Sequence, residues 1–109
     1  MKVWVRTLAL ALLVSTAALL SAQETATDGV RKLFEAQCAI CHGLDGTPKA
    51  IAKWAPKFTD PGWIRTVEQL EKVITSGKGE LMVGFKKKLT LKQIRDLAQY
   101  ILSLKNGST

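Results

Sequence analysis

The segment that decides the fold spans residues 27–43 and reads TDGVRKLFEAQCAICHG. Thr27 or Asp28 can cap the start of a helix there, and Gly43 can end it. The apolar side chains of this segment recur every three or four residues, the spacing that places them on one face of a helix: Val30, Leu33, Phe34 and Cys38. The segment therefore predicts an amphipathic helix that leads into two cysteines and a histidine.

The motif Cys38-Ala39-Ile40-Cys41-His42 contains both cysteines and the only histidine of the chain. Cys-x-x-Cys-His is the attachment signature of c-type haem, in which each thiol adds to a porphyrin vinyl group and the adjoining imidazole binds the iron. A structural disulfide is one alternative, but it would close a very small loop and add little stability. A thioredoxin-like redox pair would need a strand before the motif, where a helix is predicted. The motif thus predicts one covalent haem c, held by Cys38 and Cys41, with His42 as an axial iron ligand.

The second axial ligand can be sought by elimination. Ligation by two histidines of one chain is excluded because His42 is the only one. Met82 is the only methionine after the first residue, and it lies among glycines that allow close approach to a flat ring. We therefore predict His42 and Met82 as ligands, with a vacant position, a lysine or water as alternatives. Iron held on both sides has no open site for a substrate, which favours electron transfer over catalysis.

The N-terminus has the layout of a secretory signal peptide. Basic Lys2 and Arg6 precede an apolar run over residues 8–22. About 15 residues is short for a membrane-spanning helix, which needs about 20. We predict a signal peptide over residues 1–22 and a haem domain over residues 23–109, exported to the periplasm or an equivalent compartment. An uncleaved N-terminal anchor is the alternative.

Length and charge narrow the class of protein further. A chain of 109 residues holds a single domain. Without the signal peptide, 14 basic residues stand against 9 acidic ones, a net charge of +5. The basic residues are less dense than in a typical nucleic-acid-binding protein, and aromatic residues are not interleaved with them. The sequence therefore does not indicate a nucleic-acid binder. The run Lys86-Lys87-Lys88 is either a solvated surface or a docking rim for redox partners with acidic surfaces.

The rest of the chain predicts helices joined by long irregular connections, and no strand. Segments 66–69 and 90–93 both have the capping-box sequence Thr-x-x-Gln. The helices that they open should end before Gly77 and near Lys105. A short helix over residues 49–54 is also compatible with the sequence. The predicted fold class is all-α, with about four short helices around one haem.

By these features the sequence resembles the small monohaem class I cytochromes c, in particular the c6-like and cbb3-subunit-III-like haem domains. The matching positions are spread over residues 27–105: Gly29, Phe34, Cys38-x-x-Cys41-His42-Gly43, Gly77-Lys78-Gly79, Met82, Leu89-Thr90 and Ala98-x-Tyr100-Ile101. The resemblance implies a class I cytochrome c fold. In that fold the first and last helices cross near Gly29, Phe34 and Tyr100, and haem lies in a crevice beside them.

The resemblance also implies roles for single residues. Carried over by position, the thioether links and the proximal and distal ligands are Cys38, Cys41, His42 and Met82. Pro56 would direct its carbonyl at the ring N–H of His42. The sequence departs from the family at Val83, where proline often follows the methionine, and the loop is expected to be less rigid for that reason.

The predicted function is that of an exported carrier which passes one electron at a time between redox proteins, with no catalytic site and no small-molecule substrate. Trp54 and Trp63 are expected to pack in the core or against haem, although an indole N–H can also donate to a haem propionate, and Arg65 is a further candidate to pair with a propionate. Two alternatives stay open: a dedicated haem subunit of a larger dehydrogenase or terminal oxidase, and a five-coordinate haem that senses a gas. Contact with a membrane is expected only through partners or an uncleaved anchor.

Overall fold

The computed structural model describes residues 27–107, and the predicted signal peptide over residues 1–22 lies outside the described residues. Helix α1 covers residues 27–37, and three further helices follow it: α2 (Ala39–His42), α3 (Val67–Ser76) and α4 (Leu91–Lys105). A single 3₁₀ turn, Ala50–Ala52, is shorter than the helix predicted over residues 49–54. No strand occurs in this part of the chain, and the all-α prediction is confirmed.

Helices α1 and α2 are nearly continuous. The only interruption is a turn at Cys38, whose N–H donates to the carbonyl of Phe34 at 2.8 Å. The carbonyl of Cys38 in turn accepts from the N–H of His42 at 3.0 Å. Gly43 ends α2 with φ +74°, and its N–H donates to the carbonyl of Ala39. The Cys-x-x-Cys-His motif is therefore held on a short, hydrogen-bonded helical turn.

Both predicted capping boxes are formed. The Thr66 hydroxyl accepts from the N–H of Gln69 at 3.1 Å, and the Gln69 side chain accepts from the N–H of Thr66 at 2.8 Å. The same pair of bonds joins Thr90 and Gln93 at 3.1 and 2.9 Å. Since each box satisfies two N–H groups that the first turn leaves without partners, it fixes where its helix begins. The predicted end of α4 near Lys105 is confirmed as well.

The core lies where α1 and α4 meet. Phe34 of α1 and Leu97 of α4 are fully buried, and the rings of Phe34 and Tyr100 lie 5.1 Å apart at an angle of 52°. This contact agrees with the helix crossing that the resemblance implies. Gly29 does not take part in it, because it is exposed and no atom of another part of the described chain lies within 4 Å of where its Cβ would stand.

Helix α3 packs against α4 and completes the core. Leu70 and Ile74 are its buried side chains, and Glu71 accepts a hydrogen bond from Arg95 of α4 at 2.9 Å. None of the helices formed by residues 27–107 is long and apolar enough to cross a membrane.

Candidate haem-binding site

Two cavities that share wall residues open beside α2. The first has a volume of about 530 Å³, and Cys38, His42 and Met82 are among its lining residues. The second has a volume of about 310 Å³, and its lining includes Cys41, His42 and Met82. His42 and Met82 thus line both cavities, while each cysteine lines one. The fold brings together the four side chains that the sequence singles out, although 40 positions separate Met82 from His42.

The walls of the first cavity are mostly apolar. Helix α3 contributes Leu70, Val73 and Ile74, and α4 contributes Ile101. These residues lie on the faces that α3 and α4 bury, so the amphipathic pattern that builds the core also lines the cavity. Such walls exclude water from whatever the cavity holds and suit a large apolar ring.

The two thiols are partly buried and unbridged. Burial raises the pKa of the Cys38 thiol to about 11, which leaves that thiol neutral at neutral pH. The carbonyl of Cys41 accepts from the N–H of Lys49 at 2.9 Å, and this bond ties the following loop to the motif. Because the thiols line different cavities, they can serve a group that has two separate points of attachment.

The imidazole of His42 is partly buried and stacks on the ring of Phe58, with centroids 4.9 Å apart and planes inclined by 22°. Burial lowers the pKa of His42, which favours the neutral imidazole that a metal binds. Its Nδ1 atom is buried and has no hydrogen-bond partner among the described residues. The carbonyl of Pro56 therefore does not hold this ring, contrary to the role that the resemblance implied, although Pro56 lines both cavities.

Met82 ends a tight hairpin. The N–H of Lys78 donates to the carbonyl of Met82 at 2.9 Å, and the N–H of Met82 donates back at 3.3 Å. Gly79 turns the chain between them with φ +63°, in the left-handed region that favours glycine. The hairpin thereby fixes the main chain of Met82 beside the two cavities.

The hairpin is fastened to the end of α3 rather than left loose. The N–H of Phe85 donates to the carbonyl of Ile74 at 2.8 Å, and Lys86 donates to Thr75 at 3.3 Å. The sequence predicted a less rigid loop because Val83 replaces the usual proline. In the fold, main-chain hydrogen bonds on both sides of the methionine supply a restraint that proline would otherwise give.

A cluster of one indole and two cations forms part of the wall of the first cavity and extends to α4. Trp63 is buried, and the Arg65 guanidinium lies 5.7 Å from its ring centroid. The Lys105 ammonium lies 5.8 Å from the same centroid and donates a hydrogen bond to the carbonyl of Trp63. Trp63 and Arg65 both line the cavity. They therefore remain candidates to bind the carboxylate groups of a ligand such as the haem propionates.

The lysines that line the cavities are not those of the triple-lysine run. The run Lys86-Lys87-Lys88 is exposed and lines neither cavity. Lys72 and Lys78 line the first cavity instead, and Lys78 lines the second too. Trp54 is 58% exposed and lines both, so it lies at their shared mouth.

Phe58 is the site residue that sequence reasoning missed. It lies in the stretch rich in proline and glycine that was predicted only as loop and turn. It is nevertheless 4% exposed and lies against both His42 and Trp63. An aromatic residue between turn residues was the available signal, because a loop on the surface seldom needs a large apolar side chain.

The residues present fit a covalently attached haem. Two thiols, an imidazole and a thioether line two adjoining cavities, and imidazole with thioether is a ligand pair that haem iron takes. No cluster of three or more His, Cys, Asp or Glu side chains that could hold a bare metal ion occurs within residues 27–107. An all-α fold with this motif on the wall of an apolar cavity defines a c-type cytochrome domain.

Comparison with known proteins gives the family. The family described as cytochrome C oxidase, cbb3-type, subunit III matches residues 25–101, and the chain belongs to it. The chain is 33% identical over 95 residues to the Cbb3-type cytochrome c oxidase subunit CcoP of Rhodobacter capsulatus. That alignment covers 79% of this chain and 32% of the Rhodobacter subunit, so the chain spans about a third of that relative's length.

Two solved structures have a similar fold. The KustC0563 c-type cytochrome superposes with a TM-score of 0.66 at 33% identity, over 69% of this chain and 95% of that one. A tyrosine-to-phenylalanine mutant of Kustc0563 superposes with a TM-score of 0.65 at 34% identity, over 70% and 98% of the two chains. These similarities confirm the predicted class I cytochrome c fold.

Proposed function

We propose that the chain carries one haem c, attached through Cys38 and Cys41, with His42 and Met82 as axial ligands, and transfers single electrons between redox proteins. The observation that carries the proposal is that His42 and Met82 line both cavities while each cysteine lines one. The bound haem supplies reversible one-electron chemistry at its iron.

The protein supplies the ligands and a dry environment for that chemistry. Burial keeps His42 neutral by lowering its pKa, and the hairpin of Lys78 and Met82 holds the thioether on a short, hydrogen-bonded loop. Two protein ligands leave no open position for a substrate, and His/Met ligation raises the reduction potential. We therefore expect a carrier of electrons, not an enzyme.

The surface supports docking to other proteins. Without the predicted signal peptide the chain has a net charge of +5, and Lys72 and Lys78 lie at the first cavity. Positive charge at the site would steer partners that have acidic surfaces and would release them as ionic strength rises. Electron transfer across such a contact needs the haem edge to be near the partner, and exposed Trp54 marks where the cavities open.

A second candidate function is that of a haem subunit in an oxidase complex. The relative from Rhodobacter capsulatus is a subunit of a cytochrome c oxidase, and the chain matches about a third of it. Exposed apolar side chains favour such a lasting contact, and Trp54 and Leu81 among them line the second cavity. The others include Ile40, Leu44, Ile51 and Val83. An exported haem domain fits both candidates. Recovery of the chain with a large membrane subunit, rather than alone, would favour the second.

The ligand assignment can be tested on holoprotein made with cytochrome c maturation machinery. Ferric spectra of the wild type and of Met82→Ala should differ by loss of the weak far-red band that a methionine ligand gives. Val83→Ala is the matched control, because Val83 is exposed next to Met82 and lines neither cavity. An unchanged Met82→Ala spectrum would remove Met82 from the site. Extraction of the haem into acidified organic solvent would refute covalent attachment, and rapid binding of carbon monoxide by the reduced wild type would favour a gas sensor.

A further inference from the structure

We infer that Phe58 sets the orientation of the His42 ring by stacking, in the place where a hydrogen bond to the imidazole usually does so. The inference rests on the proposed function of His42 as an iron ligand. Phe58 is in this sense a positioning residue, since it touches the ligand and not the iron.

The first support is that no hydrogen bond from Nδ1 to the described residues orients the ring. A histidine that binds metal commonly donates its second ring N–H to a carbonyl or carboxylate, which sets the plane of the imidazole. Here Nδ1 of His42 is buried without a partner in the described part of the chain. What lies against the imidazole instead is the Phe58 ring, 4.9 Å away and only 22° from parallel. Rotation of the imidazole about its bond to Cβ would break this stack.

The second support is that Phe58 itself cannot turn freely. It is 4% exposed, and its N–H donates to the carbonyl of Gly46 at 3.0 Å. The main chain of Gly46 lies so close that an added Cβ would stand 2.9 Å from the Cβ of Phe58. Gly46 also has φ +86°, in the left-handed region that favours glycine. Both the lack of space for a side chain and the backbone conformation therefore favour glycine at this position. The main chain at Gly46 therefore packs against Phe58 on one side and restricts its movement.

Trp63 holds Phe58 from another side. The two ring centroids are 4.9 Å apart at an angle of 35°. The carbonyl of Trp63 accepts a hydrogen bond from Lys105, the last residue of α4. The rings of His42, Phe58 and Trp63 thus form a row that ends on the C-terminal helix, and the position of each ring depends on the next.

The orientation of an axial imidazole affects the electronic structure of the iron. Neighbours that hold the ring tune both ligand strength and potential. A stacked phenyl ring fixes the plane but takes no proton from Nδ1, so it orients the ligand without increasing its basicity. Loss of the stack should therefore change properties that depend on the ring plane, beyond any change in stability.

The test compares two buried phenylalanines in holoprotein, one beside His42 and one away from the cavities. Phe58→Leu removes the stack, and Phe34→Leu is the matched control, because Phe34 is fully buried where α1 and α4 meet and lines neither cavity. The readouts are the spread of the paramagnetically shifted haem methyl signals in ferric proton NMR and the reduction potential. We expect both to move in Phe58→Leu and to stay near the wild type in Phe34→Leu. Phe58→Tyr keeps a ring and should restore the wild-type pattern.

Equal shifts in the two leucine variants, or none in Phe58→Leu, would overturn the inference while leaving the proposed ligands intact. If Phe58→Leu yields no holoprotein, Phe58→Met also removes the ring at similar volume and is judged by the same two readouts. Failure of the proposed function has a different signature, because the wild type itself would then lack covalent haem or a methionine band.

Discussion

Gly77 and Gly84 lie main chain to main chain at the base of the hairpin that ends at Met82. A Cβ on Gly77 would stand 2.7 Å from the main-chain N of Gly84, and one on Gly84 would stand 2.6 Å from the carbonyl oxygen of Thr75. Real Cβ atoms do not approach main-chain atoms so closely. The two glycines thus let the hairpin lie directly on the end of α3, and this contact positions Met82.

Gly84→Ala should therefore move the hairpin. We expect it to lower the free energy of unfolding by about 1–3 kcal/mol, because main chain must shift to admit the methyl group. The far-red methionine band of the ferric holoprotein should weaken with it. The control is Gly107→Ala, where φ is +68° and, apart from its chain neighbours, no described atom lies within 4 Å of the added Cβ. That variant should lose about 1 kcal/mol from backbone strain and keep its band. A Gly84→Ala protein with the stability and band of the wild type would show that the hairpin is not held in this way.

The capping box of α4 gives a second prediction. Thr90→Ala leaves the N–H of Gln93 without its side-chain acceptor, and should cost about 1 kcal/mol. For a domain of this size, that loss lowers the melting temperature by about 4–8 °C. Thr90→Ser keeps the hydroxyl and should melt close to the wild type. If serine and alanine are equally destabilising, the hydroxyl is not what stabilises the helix start.

Lys105 supplies a third prediction, which concerns the loop that contains Trp63. Lys105→Met keeps most of the apolar stem but removes the ammonium that donates to the Trp63 carbonyl. Hydrogen bonds from charged groups contribute about 1.5–3 kcal/mol, and we expect a loss near the lower end because Lys105 is only partly buried. Urea unfolding of the holoprotein measures it.

The matched control for that variant lies on the same helix. Lys92 pairs with Asp96 at 2.7 Å on the exposed surface, and Lys92→Met should cost less than about 0.5 kcal/mol. Similar losses in the two variants would mean that Lys105 acts only as a surface charge.

Tyr100 gives a prediction for alkaline pH. Burial, with a smaller contribution from the charge of Glu35, raises the pKa of the Tyr100 phenol. The folded state then holds its proton more tightly than the unfolded state, so this group's contribution to stability is lost as pH rises above about 10. Tyr100 is the only tyrosine of the chain, and its ionisation can be followed by ultraviolet difference absorbance. Ionisation should begin at higher pH than in the unfolded protein, and Glu35→Gln should shift it down slightly. Identical titration of the folded and unfolded protein would contradict this account.

Local patterns in the sequence were sufficient for the helices. The capping boxes at Thr66 and Thr90 act over three residues, so their bonds can be predicted without knowledge of the fold. The Cys-x-x-Cys-His motif is also local, and the scarcity of histidine and methionine pointed to His42 and Met82. Residue types and short spacings were enough to name these candidates.

Contacts between distant segments could not be predicted in the same way. The stack of Phe58 on His42, the absence of a Pro56 bond to the imidazole and the exposure of Gly29 each depend on how a loop or helix is placed. The resemblance suggested a different arrangement for the last two. Proteins with similar sequences have the same overall fold, but individual hydrogen bonds and contacts can differ between them.

The sequence by itself determined the all-α class, the helix starts and the residues able to attach and bind a haem, because periodicity, caps and motifs act over a few positions. Only the tertiary structure decided that His42 and Met82 line both cavities, that Lys72 and Lys78 rather than the triple-lysine run lie there, and that Phe58 stacks on the imidazole. These relationships arise from packing between segments that are far apart along the chain, where close contact depends on the whole fold.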